Sequence, residues 1–172
     1  NENVKFHLHS PSKIKLNFRI KAFGQLIKAS FVDTGSPHVV IFINDFLKNE
    51  KDLSSFYDDL NEFPVLSLGK EIRYHKDFEP NGVNVNFLKL ENDICYIRTY
   101  ERGVENETLS CGTGTVASAI ILNKIKNNKP PLKFLAKSGD ILIVDFAVEN
   151  NEYKKVSLTG PAKVIFKGEI TL

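Results

Sequence analysis

The chain has 172 residues, 42% of them hydrophobic and 26% charged, with a net charge of +2; this fits one globular domain or two small lobes and excludes the fibrous and disordered classes. Its 23 basic and 21 acidic side chains are interleaved, short of the basic footprint of a nucleic-acid binder, so no nucleic-acid partner is expected. Apolar runs such as residues 39–43 and 141–144 are far too short to cross a bilayer and no signal peptide precedes the first strand, so no membrane partner is expected and the inferred setting is cytoplasmic.

Asn1 opens the chain and no methionine occurs anywhere in it, so an upstream portion is expected to have been removed or to be missing. Ile14, Leu16, Phe18 and Ile20 alternate with Lys13, Lys15, Asn17, Arg19 and Lys21, the period-two pattern of a strand with one face in water. After Phe23-Gly24-Gln25, residues 26–32 and 38–43 are β-rich and flank the turn-forming run Asp33-Thr34-Gly35-Ser36-Pro37. Asp52 is predicted to cap a helix reaching Leu60, and a second short helix is predicted from Val65 to about Tyr74, before Pro80-Asn81-Gly82 breaks the chain. Residues 83–90 and 94–101 read as paired strands. Residues 116–122 are apolar on nearly every face, which predicts a helix buried all round. Lys124, Lys126, Lys129 and Lys133 fall around its end, where cations complement the helix dipole. Strands are predicted at 132–137, 141–148, 153–158 and 163–166, giving a curved sheet wrapped around one helix.

Ser110-Cys111-Gly112-Thr113-Gly114-Thr115 sets a cysteine on a glycine-rich turn that opens into the buried helix. The first amides of a helix lack intrahelical acceptors and carry partial positive charge, so they can stabilise a thiolate or hold a carboxylate. Against this, a glycine turn commonly serves only to bend the chain, and a lone cysteine is among the most buried residue types. Tyr100-Glu101-Arg102-Gly103 ends the preceding strand and brings a carboxylate and a guanidinium to the same edge. Arg102 could fork onto a carboxylate, and Glu101 could accept a proton from the thiol or hold an ammonium; the alternative is a surface ion pair of little weight. Cys95, inside Ile94-Cys95-Tyr96-Ile97, reads as core, and both thiols are expected free and reduced. His38 follows Pro37 at a strand rim and reads as a structural donor before a catalyst. Asn84 and Asn86 share one strand face, either solvated or turned into a cleft. Four histidines and two cysteines give no metal-ligand spacing, so no metal is expected. Gly112-Thr113-Gly114 lacks the lysine of a P-loop and the third glycine of a dinucleotide fingerprint.

From Glu101-Arg102-Gly103 to Glu107-Thr108-Leu109-Ser110-Cys111-Gly112-Thr113-Gly114 the chain resembles the second-cysteine signature of the diaminopimelate epimerase family. Three further stretches resemble the same family in the same order: Asp33-Thr34-Gly35-Ser36-Pro37-His38; Gly69-Lys70-Glu71-Ile72-Arg73-Tyr74-His75 with Gly82-Val83-Asn84-Val85-Asn86-Phe87; and Leu158-Thr159-Gly160-Pro161-Ala162. The resemblance implies a cofactor-independent isomerase that interconverts LL- and meso-diaminopimelate, a lysine and peptidoglycan precursor, by proton transfer between two cysteines on opposite faces of the α-carbon. It implies an α+β fold, a mixed barrel-like sheet wrapped around a central buried helix, as one lobe of a two-lobe pseudo-symmetric enzyme. By the same resemblance Cys111 is one of the catalytic pair, Glu101 assists it and contacts the amine, and His38 assists the opposite cysteine. The amides of Gly112 and Thr113 would hold the α-carboxylate, while Asn84 and Arg102 would read the distal end.

The chain departs from that pattern in three places. Ser36 stands where the family usually has a substrate-contacting asparagine. The loop from Gly103 to Glu107 is one residue longer than the common form. The first-cysteine motif, an Asn-Gly followed by a Cys-Gly-Asn-Gly cluster, is absent from the sequence. Residues 1–26 therefore read as the closing strands of an N-terminal lobe, 27–163 as the C-terminal lobe with the second cysteine, and 164–172 as a terminal strand returning to the first lobe. The implied partners are diaminopimelate and the missing N-terminal lobe, with a homodimer left open, and the isolated chain is expected to be inactive. Two alternatives stand beside this reading: a proline or hydroxyproline racemase, whose related fold uses a similar Cys-Gly-Thr-Gly-Thr turn, and a non-catalytic ligand-binding lobe. Arg102 favours a substrate with a second carboxylate, since a small cyclic imino acid offers its guanidinium nothing to bind.

Overall fold

Side-chain alternation along each strand decides what the sheet covers. In the computed structural model, which describes residues 2–49 and 51–171, β2 (Ser12–Ala22) folds back into β3 (Gln25–Asp33). Phe23 and Gly24 make the turn at φ 49° and 70°, a left-handed pair whose twist matches that of the strands. Ile20 and Ala22 are buried while Lys13, Lys15, Arg19 and Lys21 are exposed, as the alternation predicts. Leu16 is exposed as well, because the register shifts on both sides of Lys15.

β4 (Pro37–Phe42) pairs antiparallel with β3 and parallel with β5 (Asn84–Glu91), which pairs antiparallel with β6 (Ile94–Glu101). The crossover from β4 to β5 carries α1 (Val65–Arg73), which buries Val65, Leu68, Gly69 and Ile72, one stripe of a helix. Gly69 lets α1 approach the sheet, since any Cβ there would collide with the Tyr100 ring. The short β7 (Asn106–Thr108) pairs with β6 and leads into α2 (Gly112–Lys126), after which β8 (Leu132–Leu135), β9 (Ile141–Glu149) and β10 (Glu152–Ala162) follow. β1 (Glu2–His7) adds to β10, giving one mixed sheet ordered β1-β10-β9-β8-β6-β5-β4-β3-β2.

The two ends of that order, β1 and β2, are consecutive in the chain and only residues 8–11 join them. The sheet therefore has to curl until its ends approach, and α2 fills the interior. From Gly114 to Leu122 every residue of α2 is buried, which accounts for a segment with no polar face. Val40, Leu88, Ile97, Phe134 and Val144 pack around it, while Val39, Ile41, Val85, Phe87 and Tyr100 face the other way onto α1. The fold is the α+β mixed sheet around a central helix that the sequence predicts.

Two predicted elements do not form. Residues 52–60 are not a helix, although Leu53, Phe56, Tyr57 and Leu60 have helical spacing. Asp52 Oδ1 instead accepts from the Ser54 N–H at 2.9 Å and its hydroxyl at 2.6 Å, a local turn that competes with the helix. Phe56 then bridges to Leu47, and the Tyr57 ring packs edge-on against Phe63. Residues 163–171 form no strand; the last described pair of the β1–β10 ladder is Glu2 with Ala162. Val164, Ile165, Phe166 and Ile170 are exposed there. Among the described residues, no helix is long and apolar enough to cross a membrane.

Candidate active site

Strand register gathers a polar cluster at one end of the buried helix. His38 lies opposite Asn84 and Val40 opposite Asn86 on the β4–β5 pair, and Asn86 lies opposite Thr99 on β5–β6. Since alternate residues share a face, His38, Asn84, Asn86 and Thr99 lie on the face whose Val40, Leu88 and Ile97 pack on α2. All four polar side chains are buried. Asn84 and Asn86 are thus turned inward and not solvated. Glu101 continues the inward series of β6 toward the start of α2.

Cys111 is the N-cap of α2, with extended φ and ψ of −134° and 110°. Its carbonyl accepts from the Thr115 N–H at 2.9 Å and from the Thr115 hydroxyl at 2.8 Å, which fixes the first turn. The N–H groups of Gly112, Thr113 and Gly114 precede that bond and have no intrahelical acceptor. The loop from Asp33 to Pro37 clamps this turn from the side. Gly35, at φ 96°, donates its N–H to Asp33 Oδ1 at 3.0 Å, and the Thr34 hydroxyl donates to the Thr113 carbonyl at 3.2 Å.

The same loop brings Ser36 and His38 onto Thr113. His38 Nε2 lies 2.9 Å from Ser36 Oγ and 3.0 Å from Thr113 Oγ1, and the Ser36 hydroxyl donates to Thr113 Oγ1 at 3.3 Å. Thr113 Oγ1 is 3.6 Å from Cys111 Sγ. On the other side of the ring, Asn86 Nδ2 donates to the Val39 carbonyl at 3.1 Å and approaches His38 Nδ1 at 3.1 Å, while its Oδ1 accepts from the Thr99 hydroxyl at 3.0 Å. The carbonyl and the hydroxyl between them orient the Asn86 amide, so Nδ1 of His38 accepts and the ring proton sits on Nε2.

His38 is wholly buried, and burial, with the Arg102 guanidinium second, lowers its pKa from 6.5 to about 3. A folded value below the unfolded one means that the unfolded chain takes up a proton first on acidification, so stability falls as pH drops from 6.5 toward 3. Between pH 7 and 5, above the carboxylate range, His38→Gln should remove up to about 2 kcal/mol of that pH-dependent loss. Urea unfolding of both proteins at the two pH values checks this; identical losses would contradict it.

The Cys111 thiol is pushed above its ordinary range, chiefly by burial and in part by the Glu101 carboxylate. The Thr113 hydroxyl and the backbone N–H groups of Gly114 and Thr113 pull the other way. The helix N-terminus alone therefore does not produce a resting thiolate: desolvation at 8% exposure outweighs the amides. Cys95 is buried in the core and its thiol is driven further up by burial alone. Both cysteines are free.

The Asn84 amide bridges two elements, donating to the Pro37 carbonyl at 3.0 Å and accepting the Arg102 N–H at 2.9 Å. The loop after Arg102 is fixed by Glu105, whose carboxylate accepts from the Gly103 N–H at 2.9 Å and from Arg73 Nε at 3.1 Å. Arg73 and Arg102 both donate to the Asn81 carbonyl, at 3.2 and 3.5 Å. The loop from Gly103 to Glu107 is thus held in a turn tied to α1 and runs into β7. The predicted Cys111, Glu101, Arg102, Asn84, Gly112, Thr113, Ser36 and His38 fall around the start of α2. Missed were the part of Asn86 in setting the histidine tautomer and the part of Thr34 in holding Thr113. The alternation of Asn84 and Asn86 with Val83, Val85 and Phe87 was the signal for the first.

The sequence model of the diaminopimelate epimerase family matches residues 30–165. Among curated proteins the chain is 38% identical over 175 residues to the diaminopimelate epimerase of Chlorobaculum tepidum, covering 99% of this chain and 59% of the relative. It is 36% identical over 171 residues to that of Aquifex aeolicus, covering 98% and 54%. The chain spans about half the length of the curated relatives it matches. Among solved structures, a probable proline racemase from Agrobacterium radiobacter superposes with a TM-score of 0.68 at 16% identity, covering 99% of this chain and 54% of that one. A hydroxyproline epimerase from Agrobacterium vitis gives 0.65 at 17%, covering 92% and 49%. At such identities these two show a shared fold.

Proposed function

Because the chain belongs to the diaminopimelate epimerase family, we propose that it is the C-terminal half of an isomerase that interconverts LL- and meso-diaminopimelate, and that it contributes one of two catalytic thiols. The observation that carries this is Cys111 at the N-cap of α2, with the first-turn amides beneath it, Glu101 beside it and the Arg102 guanidinium within electrostatic reach of the same cluster. One thiolate removes the α-proton and the thiol on the opposite face returns a proton to the carbanion; no other group is consumed. Positive electrostatics at the α-carboxylate lower the barrier, because charge spreads there as the proton leaves. The amides of Gly112 and Thr113 fill that role in this reading. Glu101 takes the ammonium and assists Cys111, while His38 assists the opposite thiol. Arg102, whose N–H is held by Asn84, takes the distal carboxylate, and Ser36 offers a short hydroxyl contact.

The opposite thiol belongs to an N-terminal lobe; residues 1–26 would serve as its closing strands, paired onto the 27–163 lobe through β1 on β10 and β2 on β3, and residues 164–172 would return to it. A homodimer of the completed enzyme is a further partner. The test is turnover of LL-diaminopimelate and of proline by the chain alone and by the protein completed with its N-terminal lobe. The expected result is no turnover by the chain and conversion of diaminopimelate only by the completed protein. Turnover of proline, or of diaminopimelate by the chain alone, would overturn it.

A further inference from the structure

The polar groups around Cys111 form a chain of hydrogen bonds in which every donor points the same way. Asn86 donates to His38 Nδ1, which leaves the ring proton on Nε2, shared between Ser36 Oγ and Thr113 Oγ1 at 2.9 and 3.0 Å. Ser36 in turn donates to Thr113 Oγ1. The threonine oxygen thus accepts twice, and its own proton has one partner left, Cys111 Sγ at 3.6 Å. The Thr34 hydroxyl holds the Thr113 carbonyl and so fixes the backbone from which this side chain projects. We propose that the Thr113 hydroxyl is a positioning group that links His38 to Cys111 and holds the sulfur as thiolate whenever its proton leaves.

The charged groups that face this link are Glu101 from β6, which opposes the thiolate, and Arg102, which adds to burial in keeping His38 neutral. A neutral imidazole with a fixed tautomer is a constant donor across the pH range in which a thiol works. The link therefore strengthens the Thr113 hydroxyl as a donor without itself changing charge. It also gives Ser36 a part besides any substrate contact. The assignment of Cys111 as a catalytic thiol rests on the reading above, but the state of its sulfur can be measured without any substrate.

The experiment is the pH dependence of iodoacetamide alkylation of Cys111 in the 172-residue chain, followed by mass spectrometry. Cys95, at 2% exposure, reports that each variant is folded by staying unmodified. Thr113→Val and Thr113→Ala both remove the hydroxyl, the second without adding bulk. Either should move the alkylation midpoint up by about one pH unit, so that alkylation below the midpoint slows about tenfold. Thr113→Ser, which keeps the hydroxyl, should retain the wild-type midpoint. A wild-type midpoint in Thr113→Ala, or a Thr113→Ser midpoint displaced as far as that of Thr113→Ala, would overturn the proposal. Neither outcome depends on whether the completed enzyme turns over diaminopimelate.

Discussion

Cys111→Ala should lower kcat for diaminopimelate in the completed enzyme by about 10³-fold or more, with a much smaller change in KM. In the proposed mechanism the substitution removes the thiol that gives or takes the proton on one face of the α-carbon, and a positioned acid or base contributes about 10²–10⁴-fold. The amides beneath Cys111 belong to the backbone of α2 and survive the change, so binding of the α-carboxylate should survive too. Cys111→Ser keeps the shape of the side chain but raises the acidity threshold far above that of a thiol, and it should lose nearly as much. Steady-state rates in both directions, with the melting temperature as a control for folding, check this. A variant within tenfold of the wild-type kcat would remove Cys111 from the chemistry.

Gly114→Ala should destabilise the chain by about 1–3 kcal/mol, the usual effect of forcing atoms into a packed interior. A Cβ at Gly114 would fall inside van der Waals contact of Asn86 Oδ1 and 3.2 Å from Cys111 Sγ. Alanine is normally the better helix former by about 1 kcal/mol, so a net loss would show that the collision outweighs the propensity. The displaced atom belongs to the amide that sets the His38 tautomer, so the pH dependence of Cys111 alkylation should shift as well. Denaturant unfolding with that alkylation profile tests both parts. A variant as stable as the wild type with an unchanged profile would show that Asn86 can move aside freely.

The fold was legible where one physical pattern acted alone. The alternation in β2 and the all-round apolarity of α2 each admit one solution, and α1 keeps its four-residue buried stripe. Residues 52–60 carry the same helical spacing, yet the Asp52 and Ser54 turn offers the backbone a local alternative, and Phe56 bridges to Leu47 across the loop. Spacing alone could not weigh that competition. At the site, Cys111, Glu101 and Arg102 stand close in sequence and could be read together. The contact of His38 with Thr113 spans 75 positions and depends on which strands are neighbours, so no local pattern carried it. The net state of the thiol was also hidden, because an N-terminal amide is visible in sequence and the depth of burial that opposes it is not.

Exchange of the diaminopimelate α-proton with deuterated solvent tests the central claim most directly, since it reports proton abstraction whether or not the configuration inverts. The account predicts rapid deuterium incorporation by the completed enzyme and none above background by the 172-residue chain or by completed Cys111→Ala with the isomer whose proton faces Cys111. Incorporation by the isolated chain at the rate of the completed enzyme would contradict it, because one lobe would then suffice for the reaction.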